Sequence, residues 1–216
     1  LGMISVWSPT FALQLLDMVQ EHQEEISAVL RSGQWQRKGL NFLQAPKSCE
    51  QSYKLNLMDF SNPKCWKKLW SKLSLISSWD TASAQQWALQ LQQRIADVAF
   101  EGKGLWATEG VVTIPFADKF PLSYQSHFYE FLLQDTVQAI PAWRLKKGDI
   151  VSPVITTGSG LTRYVIDDEL EVIDFYHDVP CFRFLGRKMT VDLVGEKLDH
   201  SAAIKVLAEL DRKRHV

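Results

Sequence analysis

Thr156-Thr157-Gly158-Ser159-Gly160-Leu161-Thr162-Arg163-Tyr164-Val165-Ile166-Asp167-Asp168 joins two strand-like runs, Asp149 to Thr157 before it and Arg163 to Phe175 after it. Glycines and hydroxyl residues between β-branched and aromatic runs mark a turn, so the stretch reads as a loop that ends one strand and enters the next. Phe128 to Leu133 and Cys181 to Gly186 are further strand-like runs, separated by Gly, Pro and Asp turns. Together they predict a mostly antiparallel sheet or distorted barrel after Pro121, with a change of rhythm near 120–125.

Upstream the rhythm is strand–helix–strand, which is α/β in character. Ser8-Pro9 is a helix start, with Ser as N-cap and Pro at the first helical position. Phe11, Leu15, Met18, Val19, Ile26, Val29 and Leu30 then recur at helical spacing, and Gly33 offers a left-handed stop. This predicts one amphipathic helix of about five turns at 3.6 residues each. Residues 34–63 read as loops with short helical pieces. Lys64 to Lys72 reads as a solvated amphipathic helix with Trp66 and Trp70 on one face. Leu73 to Trp79 is a short buried strand. Thr81 or Ser83 caps a helix whose apolar stripe is Trp87, Leu91, Ile95 and Val98. Leu105 to Ala107 and Gly110 to Phe116 read as strands flanking a turn at Thr108-Glu109, and Ser201 to Leu210 as a final helix.

The chain has 216 residues, 46% of them hydrophobic and 23% charged, the composition of an ordinary folded protein. A net charge of −1 supplies no field to draw in nucleic acid or anionic lipid. No apolar run approaches the roughly 20 residues of a membrane span, so a cytoplasmic protein is expected. Cys49, Cys65 and Cys181 are widely spaced and odd in number, which fits idle thiols in a reducing compartment. The five histidines show no HExxH spacing, and neither a nucleophile elbow nor a Gly-rich dinucleotide fingerprint occurs. The start at Leu1-Gly2-Met3-Ile4 and the charged end at Asp211 to His215 read like a piece of a longer protein.

Three motifs in order carry the chemistry: Ala107-Thr108-Glu109-Gly110, then Arg163-Tyr164 with Asp168, then Phe184-Leu185-Gly186-Arg187-Lys188 ahead of Gly195-Glu196-Lys197-Leu198. A carboxylate accepts two hydrogen bonds at once and so suits a ribose diol. A second carboxylate suits Mg²⁺, a hard cation that prefers oxygen. An arginine offers a planar fork to sugar or phosphate. Each has a plainer reading: Asp167-Asp168 as a polar turn, Glu109 as an exposed turn residue, Arg187 as an ion-paired strand end.

In this order the motifs resemble those of acyl-adenylate-forming ligases, and more narrowly those of the Gretchen Hagen-type (auxin-responsive promoter) acyl-acid amido synthetases. The resemblance implies a mixed α/β fold, equivalent to the C-terminal half of the large adenylation domain. Its twisted sheet would be flanked by helices, with a β-rich distal part. It implies a helix-rich portion over 1–120, a β-rich portion carrying the nucleotide motifs over 121–198, and the start of a hinge and C-terminal domain over 199–216. The implied activity uses ATP and Mg²⁺ to turn a carboxylic acid into an acyl-AMP, then passes the acyl group to an amine such as that of an amino acid. The implied roles are Asp168 on the ribose with Arg163 and Tyr164 beside it, Thr108 on the α-phosphate, Glu109 on Mg²⁺, and Arg187 on ribose or phosphate. Ile114-Pro115 and Phe128 to Leu132 resemble strands lining an acyl pocket. Val165, Asp167 and Met189 depart from the family pattern. They keep open a second reading, a non-catalytic interaction protein using Lys64 to Lys72 as its partner surface.

Overall fold

The computed structural model describes residues 1–134, 136–188, 190–193 and 196–199. The chain divides into two compact units at Lys103/Gly104. The predicted helix over Ser201 to Leu210, residues 200–216 of the predicted 199–216 segment, Gly195 and Met189 lie outside the described residues.

In the first unit three short parallel strands, β1 (Met3–Ser5), β2 (Leu75–Ser78) and β3 (Ala99–Gly102), form a sheet in the order β1-β2-β3. Parallel neighbours need crossovers, and here these are helical. Between β1 and β2 run α1 (Pro9–Glu21), α2 (Gln23–Ser32), α3 (Tyr53–Asn56) and α4 (Cys65–Leu69); α5 (Gln85–Arg94) joins β2 to β3. Ser8 caps α1 as its sequence suggests, its Oγ accepting from the Thr10 N–H at 3.4 Å, with Pro9 at the first position. Gly33 ends α2 at φ 66°, donating its N–H to Val29 O.

Three local expectations are corrected. The expected five-turn helix is two helices, because the backbone leaves the helical region at His22 (φ −104°, ψ 25°). The stripe that meets the core is Pro9, Ala12 and Leu16, while Phe11, Leu15 and Met18 stand exposed. The same spacing supports either face, and tertiary packing chose the one with the smaller residue, Ala12. Likewise α5 buries Ala88 and Leu91 and leaves Trp87 half-exposed, and Val98 precedes a third strand rather than continuing the helix.

Trp66 is fully buried and stacks on Trp70 with ring centroids 5.4 Å apart. With Leu16, Leu73, Ile76, Leu91 and Ile95 it makes the core of this unit. Each such side chain contributes about 1.5–3 kcal/mol by leaving water. The aromatic half of the Lys64–Lys72 segment is therefore committed to the interior.

At the carboxyl end of this sheet Lys103 is buried, its ammonium donating to Ser5 Oγ at 2.8 Å and Ser77 Oγ at 3.3 Å. It also lies 5.9 Å from the centre of the Trp7 ring. Burial pushes its pKa down. Beside it, Gly102 is close-packed: a Cβ there would collide with both carboxylate oxygens of Asp80. Gly102→Ala is expected to cost about 1–3 kcal/mol as an overpacked site. Thermal unfolding of the Gly102→Ala/Asp80→Ala double variant should recover most of that loss. Additive losses instead would place the strain elsewhere.

The second unit begins at Gly104. Its sheet is antiparallel, in the order β5-β4-β6-β8-β9 with β7 pairing on β6. The strands are β4 (Phe128–Leu133), β5 (Ala139–Pro141), β6 (Ile150–Thr156), β7 (Tyr164–Val165), β8 (Asp168–Tyr176) and β9 (Val179–Arg187). A hairpin of β10 (Thr190–Leu193) and β11 (Glu196–Asp199) follows. The predicted antiparallel character holds, although the run from Arg163 splits into β7 and β8 and the short edge strand β5 is additional. Period-two alternation sets the faces. In β4, Tyr129 and Phe131 point inward and Phe128 outward; in β8 the inward row is Asp168, Leu170 and Val172. A carboxylate therefore occupies the first position of a row that is otherwise core.

Candidate functional site

The Thr108-Glu109 turn is confirmed as the two-residue tip of a tight hairpin. Ala107 and Gly110 exchange both backbone hydrogen bonds (3.1 and 3.3 Å), and Trp106 bridges to Val111. The strands expected on either side are reduced to isolated bridges. Three contacts fix the hairpin. Trp106 Nε1 donates to Thr113 O at 3.0 Å, and Tyr129 Oη donates to Val111 O at 2.5 Å. The His127 ring packs onto Gly110 so closely that a Cβ would strike its Nε2. Burial pushes the Tyr129 phenol up to about 12, so it remains a protonated donor. Thr108 is exposed at the tip.

The loop between β6 and β7 closes on its own hydroxyls. Leu161 N donates to Thr157 Oγ1 at 3.3 Å and Arg163 N to Thr156 Oγ1 at 3.0 Å. Gly160 sits at φ 107°, where a side chain would be strained. Arg163 takes a left-handed backbone at φ 48° despite its side chain. Its guanidinium meets Glu130 on β4 twice, Nε to Oε2 at 3.0 Å and Nη2 to Oε1 at 3.2 Å. Tyr164 donates its hydroxyl to Glu109 Oε1 at 3.3 Å, joining the two motifs.

Asp168 opens β8, paired in register with Arg187 at the end of β9. It is 8% exposed, and Arg187 Nε stands 3.8 Å from its Oδ1, an ion pair too long for a hydrogen bond. A bulge between Glu169 and Leu170 turns the strand end, with Gly186 at φ 152° opposite. Burial is the main force raising the Asp168 pKa; Arg187 opposes it, and the charges of Glu109 and Asp167 add to it. Glu109 and Asp168 thus feel one another. The site has two carboxylates, Glu109 meeting the Tyr164 hydroxyl and Asp168 faced by Arg187.

The sequence-predicted residues are therefore brought into contact in pairs, Tyr164 with Glu109 and Asp168 with Arg187. Arg163 is the exception: it is turned toward Glu130. Val165 pairs with Val154 across β6–β7, and exposed Asp167 accepts from Lys188 N through its carbonyl. Glu130 and His127 were not singled out from the sequence. Glu130 was legible only as part of Phe128 to Leu132, and a lone histidine carries no spacing signal. His127 Nδ1 is buried without a partner among the described residues.

Among the described residues no group of three or more His, Cys, Asp or Glu forms a metal cage. Mg²⁺ binds through one or two carboxylates plus substrate phosphates and keeps its waters, and Glu109 is a carboxylate that could take that part. Among the described residues Asp168 has acceptor capacity left over, the requirement for gripping a diol. The first unit also contains an open cleft of about 600 Å³ between α1 and α5, lined by Gln14, Asp17, Phe60, Trp87 and Arg94, which includes none of these residues.

Comparison with known proteins identifies the family and the fold. Residues 1–100 match the GH3 family N-terminal domain and residues 120–187 the GH3 family central domain. A probable indole-3-acetic acid-amido synthetase, GH3.9 of Oryza sativa subsp. japonica, is 26% identical over 69% of this chain and 37% of its own length. Among solved structures, a GH3.15 acyl acid amido synthetase superposes with TM-score 0.77 at 19% identity, over 97% of this chain and 40% of that one. The same type of enzyme in complex with 2,4-DB gives 0.78 at 21% identity, over 96% and 40%. The chain thus shares their fold and spans about two-fifths of their length.

Proposed function

The chain belongs to the GH3 family, and on that footing we propose that it carries the nucleotide-facing residues of an ATP-dependent acyl-acid amido synthetase. The reaction is attack of a carboxylate on the α-phosphorus of ATP, giving acyl-AMP and pyrophosphate. Acyl transfer to an amine, such as an amino acid, follows with loss of AMP. The observation that carries this reading is Asp168: a buried carboxylate with unused acceptor capacity, on a strand end fixed by a bulge, within electrostatic reach of Glu109.

Each residue then has a task. Asp168, ionised, accepts from both ribose hydroxyls. Arg187 holds it there and presents its remaining N–H groups to sugar or phosphate. Thr108, exposed at the hairpin tip, donates its hydroxyl toward the α-phosphate. Glu109, which accepts from the Tyr164 hydroxyl, would hold Mg²⁺, and the ion would supply neutralisation of phosphate charge there. Positioning and electrostatics of this kind account for most of the catalysis that phosphoryl chemistry requires of a protein.

Carboxylate-dependent ATP–pyrophosphate exchange on the full-length protein, across a panel of aliphatic and aromatic acids, tests the reading. Exchange with at least one acid is expected. Folded protein that gives none with any acid overturns it.

A further inference from the structure

We propose that Glu130 is a positioning residue of this site: its grip on Arg163 holds the β6–β7 loop in a left-handed conformation that presents Tyr164 to Glu109. The inference rests on the adenylation reading and extends it to a residue outside the three motifs. A non-glycine residue at φ 48° persists only where its surroundings over-determine it. Two anchors do so here. The Thr156 hydroxyl accepts from the Arg163 N–H at 3.0 Å, and Glu130 takes the guanidinium through both carboxylate oxygens at 3.0 and 3.2 Å. Both anchors belong to rigid strands, Thr156 to β6 and Glu130 to β4, and these are hydrogen-bonded neighbours.

The next residue is Tyr164. It pairs in register with Ile155, and its hydroxyl is 3.3 Å from Glu109 Oε1. A chain of contacts therefore runs Glu130, Arg163, Tyr164, Glu109, linking the central sheet to the hairpin tip. The Glu130 side chain is 18% exposed, whereas that of Arg163 is 61% exposed. The carboxylate is thus the fixed partner and the guanidinium the one that is held. Arg163 engaged in this way positions the loop; it is not a free phosphate ligand.

Two variants of the full-length protein separate this role from general stability. Glu130→Gln keeps the shape and removes the charge. Arg163→Gly accepts the left-handed backbone without strain but has no guanidinium. For both, the KM for ATP is expected to rise about tenfold with kcat falling less, as for a mispositioned binding element. Amide hydrogen exchange at residues 162–165 should quicken about tenfold for Glu130→Gln, while the rest of the sheet and the melting temperature stay near those of the parent. Unchanged local exchange with unchanged KM overturns the proposal. Faster exchange throughout the sheet also overturns it, because Glu130 would then be only a strand residue. So does an Arg163→Gly variant with parental KM. If the parent shows no pyrophosphate exchange while Glu130→Gln still loosens 162–165, the clamp stands and the adenylation reading falls.

Discussion

Asp168→Asn is expected to weaken nucleotide binding by about ten- to a hundredfold while leaving the protein as stable as before, or more so. Asparagine keeps the outline but loses the charge and one of two acceptor oxygens. A hydrogen bond to a charged group is worth about 1.5–3 kcal/mol, and each 1.4 kcal/mol is tenfold in affinity. The stability half of the prediction follows from burial, which raises the Asp168 pKa above its ordinary value. A carboxylate whose folded pKa lies above its unfolded one, about 3.9, binds its proton more tightly in the native state. Its contribution is therefore most favourable below the unfolded value and is lost as pH rises through the folded value. At neutral pH the ionised group is a cost, and asparagine removes it.

The role proposed for Asp168 runs the opposite way, because gripping a diol through two acceptor oxygens calls for the ionised form. Acidification should release nucleotide at a pH above the usual carboxylate range, and that pH dependence should vanish in Asp168→Asn. Calorimetric titration across a pH series, with thermal unfolding of both proteins, checks both halves. Parental affinity in the variant would remove Asp168 from the site. A large loss of melting temperature would make it a structural residue instead.

The second large effect is on stability. Phe131 is fully buried in β4, stacked on Phe182 at 5.3 Å between ring centroids. Phe131→Ala is expected to cost about 3–5 kcal/mol, the transfer term plus the cavity left between strands that cannot collapse. At about 4–8 °C per kcal/mol for a domain of this size, the unit built on β4–β9 should melt at least 10 °C earlier, as read by near-ultraviolet dichroism. Glu130 directly precedes the position and Tyr129 lies two residues back on the same face, so nucleotide affinity should fall together with stability. Phe131→Leu, which retains most of the volume, should recover much of both. A shift below about 1 kcal/mol would mean that the two rings do not form the keystone of this core.

How far the sequence reached differs between elements. The Ser8-Pro9 cap, the Gly33 stop, the Thr108-Glu109 turn and the strands over 128–133 and 150–156 were legible because each is a local signal. A capping hydroxyl, a residue free to adopt positive φ, or a run of β-branched and aromatic residues acts within a few positions. The face by which α1 packs was not legible. Phe11, Leu15 and Met18 repeat as regularly as Ala12 and Leu16, and periodicity reports a face without naming its neighbour. The spacing of Trp66 and Trp70 fits a solvated helix equally well for the same reason. Buried Lys103 carried no signal, since its partners Ser5 and Ser77 are far away in sequence.

The sequence by itself determined the order of the motifs, the residue types able to grip a diol and face a cation, and the switch from a helical to an antiparallel rhythm. Those are properties of side-chain chemistry and of local backbone preference. Only the tertiary structure decided which charges meet. Register set Asp168 opposite Arg187, inward alternation on β8 buried the carboxylate and raised its pKa, and Arg163 was drawn to Glu130, 33 positions away. Pairings over such separations depend on strand register and on the face each strand turns to the core, and no local stretch of sequence encodes either.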